Sequence, residues 1–223
     1  MDGMAARGLA VEAVVFDMDG LLLDTESLAF RGMAAAGAAR GVEVDEAFFH
    51  TLVGIPADAS RSLVEMRFGH LLPTDLFLAE AAARMEELGE AGELRLKPGV
   101  EELLDGLDVR GLARAVATSS GRAKAERHLG HTGILRRFDA VVTRDDVARG
   151  KPHPDLFLAA AARLGREPGR CLALEDSHNG VRAAHAAGMP VAMVPDLLPA
   201  TGEMRALCVA VLPSLHGAAA LLA

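Results

Sequence analysis

The 223-residue sequence predicts an α/β fold built on a doubly wound parallel sheet. Three observations point to it. Short, nearly continuous apolar runs recur along the chain, as strands buried on both faces require. Segments of helical spacing, with recognisable start and stop residues, separate those runs. One stretch, residues 26–96, breaks the alternation and reads as helix throughout, with no clear strand.

The first strand is expected at residues 11–16, an apolar and β-branched run that ends at Asp17. Four similar runs follow at 112–117, 138–142, 171–174 and 190–194, with a weaker sixth at 207–212. Helices are expected at 100–107 after Pro98-Gly99, at 122–129 after Ser119-Ser120-Gly121, at 155–164 after a proline pair, and at 179–187 ahead of Gly188. Within 26–96, apolar residues such as Leu63, Met66 and Phe68 recur at helical spacing, and Gly41, Gly54, Pro56, Gly69 and Pro73 mark turns. The expected organisation is a Rossmann-like core made of residues 1–25 and 97–223. A small α-helical cap domain, residues 26–96, is inserted after the first strand.

Composition narrows the function. With 31 acidic against 23 basic residues the net charge is -8, so long-range fields favour neither nucleic acid nor an anionic membrane. The chain has no Trp, Tyr or Gln and a single Asn, Asn179, which leaves little for base stacking or base-edge reading. Cys171 and Cys208 lack metal-ligand spacing, and Cys171 in its apolar run reads as a buried thiol. No disulfide framework is expected. The first apolar run is short and carries Glu12, unlike a signal peptide, and no run reaches the roughly 18 residues of a membrane span. A cytoplasmic monomer acting on a small molecule is the expectation.

Four segments carry candidate chemistry. Asp17-Met18-Asp19-Gly20 ends the first strand, and carboxylates at i and i+2 of an extended segment point the same way. One can attack phosphorus while the other handles a proton. A lone Asp-x-Asp also fits a polar turn. Thr118-Ser119-Ser120-Gly121 offers small hydroxyls and backbone donors at a helix start, suited to a phosphate or simply to a helix cap. Lys151-Pro152-His153-Pro154 opens the next helix, and lysine is scarce: three, against 20 arginines. A compact ammonium there suits a point contact with phosphate oxygen. Glu175-Asp176-Ser177 ends the fourth strand with two acids that can complete a hard-cation site or cap the following helix. All four fall at the carboxyl ends of separate expected strands, so one crevice would collect them.

These segments, in this order, resemble the haloacid dehalogenase-like superfamily, in particular the branch of β-phosphoglucomutase and small sugar-phosphate phosphatases. The likeness runs from 11 to about 195 and includes Phe16 to Glu26, Ala117 to Ser120, Gly150 to Asp155, Leu174 to Ser177, and Asn179-Gly180-Val181 with Ala186-Ala187-Gly188-Met189. It implies Asp17 as nucleophile and Asp19 as general acid and then base. Thr118 and Lys151 would bind the phosphoryl group, with Ser119 nearby. Mg2+ would be held by Asp17, the Asp19 carbonyl and Asp176, helped by Glu175. The substrate implied is a small phosphate ester, with a sugar phosphate the family-weighted choice.

Departures from the family separate its activities. Dehalogenase relatives lack the second acid, which is present here as Asp19. The mutase pattern has a histidine four residues after the hinge threonine, and Ala29 stands there after Thr25. It also has an arginine three residues after a cap-loop glycine, and Ala57 stands there after Gly54. Both favour hydrolysis, while Arg61 as a substitute keeps a sugar phosphomutase as the alternative. The cap is expected to close over the crevice, with specificity placed in 54–61, including Gly54 as a substrate contact.

Overall fold

The computed structural model describes residues 11–53, 55 and 57–222. The chain divides into two compact units, one formed by 11–23 and 96–222 and the other by 24–95.

The first unit is a six-stranded, wholly parallel sheet. Its strands are β1 (Ala13–Phe16), β2 (Ala113–Ala117), β3 (Ala140–Val142), β4 (Cys171–Glu175), β5 (Val191–Met193) and β6 (Ala210–Val211), in the spatial order β3-β2-β1-β4-β5-β6. β1 and β4 lie in the middle and every residue of both is buried, which is why they read as unbroken apolar runs. The edge strands β3 and β6 are shorter and half-buried. The chain leaves β1 for β2 on one side and returns to β4 on the other. The carboxyl ends of β1 and β4 therefore flank the point where strand order reverses, the usual ligand crevice of such sheets.

The second unit is helical: α1 (Thr25–Ala39), α2 (Glu46–Leu52), α3 (Ala57–Phe68) and α4 (Thr74–Glu90). Asp24 and Asp45 cap α1 and α2, accepting from the amides of Ser27 and Phe48. Its core is aromatic, with Phe68 meeting Phe48 at 5.2 Å and Phe77 at 6.0 Å between ring centroids. Phe68 is buried as its spacing implies, whereas Met66, two residues earlier, is 75 % exposed and lies off the apolar face.

The remaining helices flank the sheet: α5 (Val100–Arg110), α6 (Arg122–His131), α7 (Asp155–Leu164), α8 (His178–Ala186) and α9 (Gly202–Leu207). α9 departs from the sequence expectation. The weak sixth run was expected to be strand from 207, but Thr201 caps the amide of Met204, and Met204 is buried. The helix therefore claims Leu207 and leaves β6 two residues. Cys171 is buried, and burial pushes its thiol up to about 11, so it packs as an apolar residue. Among the described residues no helix is long and apolar enough to cross a membrane.

Candidate active site

The sheet ladder places each acidic group. Asp17 is the first residue beyond β1, and its amide still donates to Leu174 O of β4 at 3.0 Å. Thr118 follows β2 in the same way, donating its amide to Val142 O at 2.9 Å. Glu175 closes β4, its carbonyl accepting from Val194 N at 2.7 Å. Three neighbouring strands thus deliver polar side chains to one edge of the sheet at the residue where each apolar run stops.

Lys151 joins them from the loop before α7. Its ammonium donates to Asp17 Oδ1 and, at 2.5 Å, to Glu175 Oε1, and it lies 5.1 Å from the ring centroid of Phe157. Only 5 % of the lysine side chain is exposed. Burial opposes its charge, but the two carboxylates outweigh that and hold its pKa above the ordinary lysine value. Burial pushes the Asp17 carboxyl up to about 7 against the pull of Lys151, with Glu175 and Asp19 adding repulsion. Asp176 is raised well above the usual carboxylate range, first by burial and then by Glu175 and Asp17.

Glu175 is fixed on its other side by the start of α8. Its Oε2 accepts from Asp176 N at 3.0 Å, Ser177 N at 3.1 Å and Ser177 Oγ at 3.0 Å. Ser177 also caps the helix by accepting from Gly180 N at 3.1 Å. A side chain at Gly180 would place its Cβ 1.8 Å from Glu175 Oε1, so the close approach demands glycine.

Asp19 has two differently employed oxygens. Oδ2 accepts from Ser120 Oγ at 2.8 Å and from Thr118 Oγ1 at 3.4 Å, and Thr118 Oγ1 itself accepts from Ser120 N at 3.0 Å. Oδ1 is buried without a hydrogen bond among the described residues, and Lys124 Nζ on α6 lies 3.5 Å away. One oxygen is held by two hydroxyls, while the other has the Lys124 ammonium nearby and no hydrogen bond among the described residues.

Oxygens of Asp17, Glu175 and Asp176 lie within 4.8 Å of one another. At 4 Å a pair of such charges repels by about 4 kcal/mol at an effective dielectric of 20, so the set calls for a cation. Carboxylate oxygen suits a hard ion such as Mg2+. Gly20, at φ +84°, extends that fit: a Cβ there would fall 2.4 Å from Asp176 Oδ2, so only glycine lets this carboxylate approach the backbone after Asp19.

The structure thus gathers Asp17, Asp19, Thr118, Lys151, Glu175 and Asp176. Ser119 is exposed, and the neighbouring Ser120 is the serine that touches Asp19. Gly54 lies outside the described residues. Sequence reasoning named Ser120 only as part of the segment 118–121 and gave no role to Lys124, Lys97 or Asp196. Lys97 Nζ pairs with Asp196 Oδ1 at 2.7 Å. The scarcity of lysine that singled out Lys151 applies equally to Lys97 and Lys124, and all three pair with acids around this edge.

A family model described as haloacid dehalogenase-like hydrolase matches residues 11–188. The chain belongs to the haloacid dehalogenase-like hydrolases. It is 36% identical to the fructose-1-phosphate phosphatase YqaB of Escherichia coli, an alignment covering 79% of this chain and 92% of that protein. It is 33% identical to the putative phosphatase YhcW of Bacillus subtilis, with 86% of each chain covered. Among solved structures, a putative β-phosphoglucomutase from Thermotoga maritima superposes with a TM-score of 0.82 at 28% identity, covering 95% of this chain and 98% of that one. These relatives place this haloacid dehalogenase-like hydrolase in the branch of β-phosphoglucomutase-like enzymes and sugar-phosphate phosphatases, and its class is phosphoric monoester hydrolase.

Proposed function

We propose that this hydrolase is a magnesium-dependent phosphatase of small phosphorylated metabolites, foremost sugar phosphates, working through an aspartyl phosphate on Asp17. The observation that carries the reading is the meeting of Asp17, Asp19, Thr118, Lys151 and Asp176 at one sheet edge. An Asp17 oxygen attacks phosphorus, and the bond from phosphorus to the leaving oxygen breaks as Asp19 protonates that oxygen. Asp19, now a carboxylate, takes a proton from water as the water attacks the same phosphorus. The bond to Asp17 breaks and inorganic phosphate leaves. Thr118 and Lys151 hold the phosphoryl oxygens throughout. Mg2+, when held by Asp17, Asp176 and the Asp19 carbonyl, supplies the positive charge that lets an anionic nucleophile meet an anionic phosphate. Glu175 has four donors on its two oxygens, so its part is to hold Lys151 and add negative charge beside the cation.

The similarity to a β-phosphoglucomutase-like structure gives a second reading, a phosphomutase. Arg61, the candidate for the mutase's second phosphate site, is bound by Asp75 at 2.7 and 3.0 Å and by Glu65 at 2.7 Å. Two carboxylates already balance its charge, which favours hydrolysis.

A panel of phosphate esters assayed with Mg2+ and with chelator tests the proposal. Phosphate release is expected with Mg2+ alone, and Asp17→Asn is expected to abolish it while the protein remains folded by circular dichroism. Turnover by Asp17→Asn would refute the nucleophile. Hexose 6-phosphate appearing from hexose 1-phosphate faster than free phosphate would establish the mutase.

A further inference from the structure

Asp196 follows β5, the strand beside β4, and its side chain is 12 % exposed. Oδ1 is taken by Lys97 at 2.7 Å. Oδ2 is buried and has no hydrogen bond among the described residues. A pair that served only to tie the loop after β5 to the start of α5 would gain nothing from burying the second oxygen unpaired, which is costly. That oxygen has a definite address. A Cβ built on Gly20 would lie 2.4 Å from Asp176 Oδ2 and 3.3 Å from Asp196 Oδ2. Both carboxylates therefore converge on the one piece of backbone that directly follows Asp19.

We propose that Asp196 is a positioning residue of the cation site, its Oδ2 acting as an outer-sphere anion beside Asp176. The inference rests on the magnesium reading above. The acidic groups at this edge outnumber their lysine partners, and Lys97 pairs with the Asp196 oxygen other than the one near Gly20. The carboxylate charge is shared by both oxygens, and the one without a hydrogen bond adds negative potential on the Gly20 side. Outer-shell partners of this kind tune how tightly a metal is held without touching it.

Mn2+ binding, followed by electron paramagnetic resonance on the full chain, tests this without turnover. Asp196→Asn is expected to weaken Mn2+ binding about tenfold to a hundredfold, with metal-free thermal unfolding no lower than in the parent. Lys97→Met keeps the Asp196 charge and removes a nearby positive one, so its affinity is expected to exceed the parent's. An Asp196→Asn affinity within about twofold of the parent's would overturn the proposal. So would an equal loss in both variants, which marks the pair as a structural tie. Should Asp196→Asn fail to fold, Lys97→Met decides alone: affinity above the parent's supports the proposal, and affinity at or below it overturns it. Asp176→Asn separates the two levels. If it binds Mn2+ as the parent does, the cation reading of the whole site fails. If it loses Mn2+ and Asp196→Asn does not, only this inference fails.

Discussion

Lys151 has Asp17 and Glu175 on either side of its ammonium and almost no access to water. Removing one member of a buried ion cluster leaves the others uncompensated, at a cost of about 3–5 kcal/mol. Lys151→Met is therefore expected to lower the stability of the metal-free protein by about that amount, read from urea unfolding, in addition to any loss of activity. A change below about 1 kcal/mol would mean that the two carboxylates shed their charge easily without it. Ser120 works on a smaller scale. Its hydroxyl donates at 2.8 Å to one Asp19 oxygen, leaving the other for the proton transfer proposed above. A hydrogen bond to a charged group contributes about 1.5–3 kcal/mol. Ser120→Ala is expected to cut kcat about tenfold to a hundredfold on a generic phosphate ester with little change in KM. Ser119→Ala, at an exposed hydroxyl, serves as the comparison and should lie near the parent enzyme. If Ser119→Ala is the slower variant, the roles of the two serines are reversed.

Among the elements, α8 illustrates how a helix start holds a carboxylate. Gly180 falls in its first turn, where a methyl group would overlap Glu175. Gly180→Ala is expected to push Glu175 off the amides of Asp176 and Ser177, lowering the melting temperature and the affinity for Mg2+ together. Gly130, exposed within α6, has nothing within 4 Å of a built Cβ. Gly130→Ala should stabilise by about 0.5–1 kcal/mol through helix propensity alone. Equal effects from the two substitutions, measured by thermal melts, would exclude the packing explanation. The same element shows what could be read from sequence. β1, β2 and β4 end in an abrupt change from apolar to polar residues, so Asp17, Thr118 and Glu175 were visible as strand ends. Which of two adjacent serines faces Asp19 was not, because beyond the strand the period of two no longer fixes side-chain direction. Asp196 was hidden for a similar reason: Pro195-Asp196 after an apolar run reads as an ordinary turn, and its partner Lys97 is far away in the chain. β6 was over-extended because two half-buried residues at a sheet edge leave only a faint pattern beside a well-capped helix.

At the scale of the whole molecule, the acidic edge couples folding to protons and, on the proposed function, to magnesium. Asp17 titrates near 7 in the folded, metal-free chain, against about 3.9 for an unfolded aspartate, and Asp176 is raised in the same direction. Between about pH 4 and 7 the folded chain therefore holds protons that the unfolded chain has released. The stability of metal-free protein must then fall as pH rises through that window, because each step charges a buried carboxylate in a cluster whose acids outnumber the Lys151 ammonium. Lys151 stays charged across it, since its own pKa is held above the ordinary value. Magnesium competes with those protons for the same carboxylate oxygens, so its stabilising effect must grow in the opposite sense, small near pH 5.5 and full near pH 8. At a hundredfold excess over its dissociation constant, a ligand specific for the folded state adds about 2.7 kcal/mol. For a chain of this size that corresponds to roughly 5–10 °C in Tm. Thermal melts at pH 5.5 and pH 8, each with EDTA and with excess Mg2+, are expected to show a shift of that order at pH 8 and a much smaller one at pH 5.5. A magnesium shift that is the same at both values would mean the cation is not displacing protons from Asp17 and Asp176. The site would then bind it, if at all, through groups other than the carboxylates at the carboxyl ends of β1 and β4.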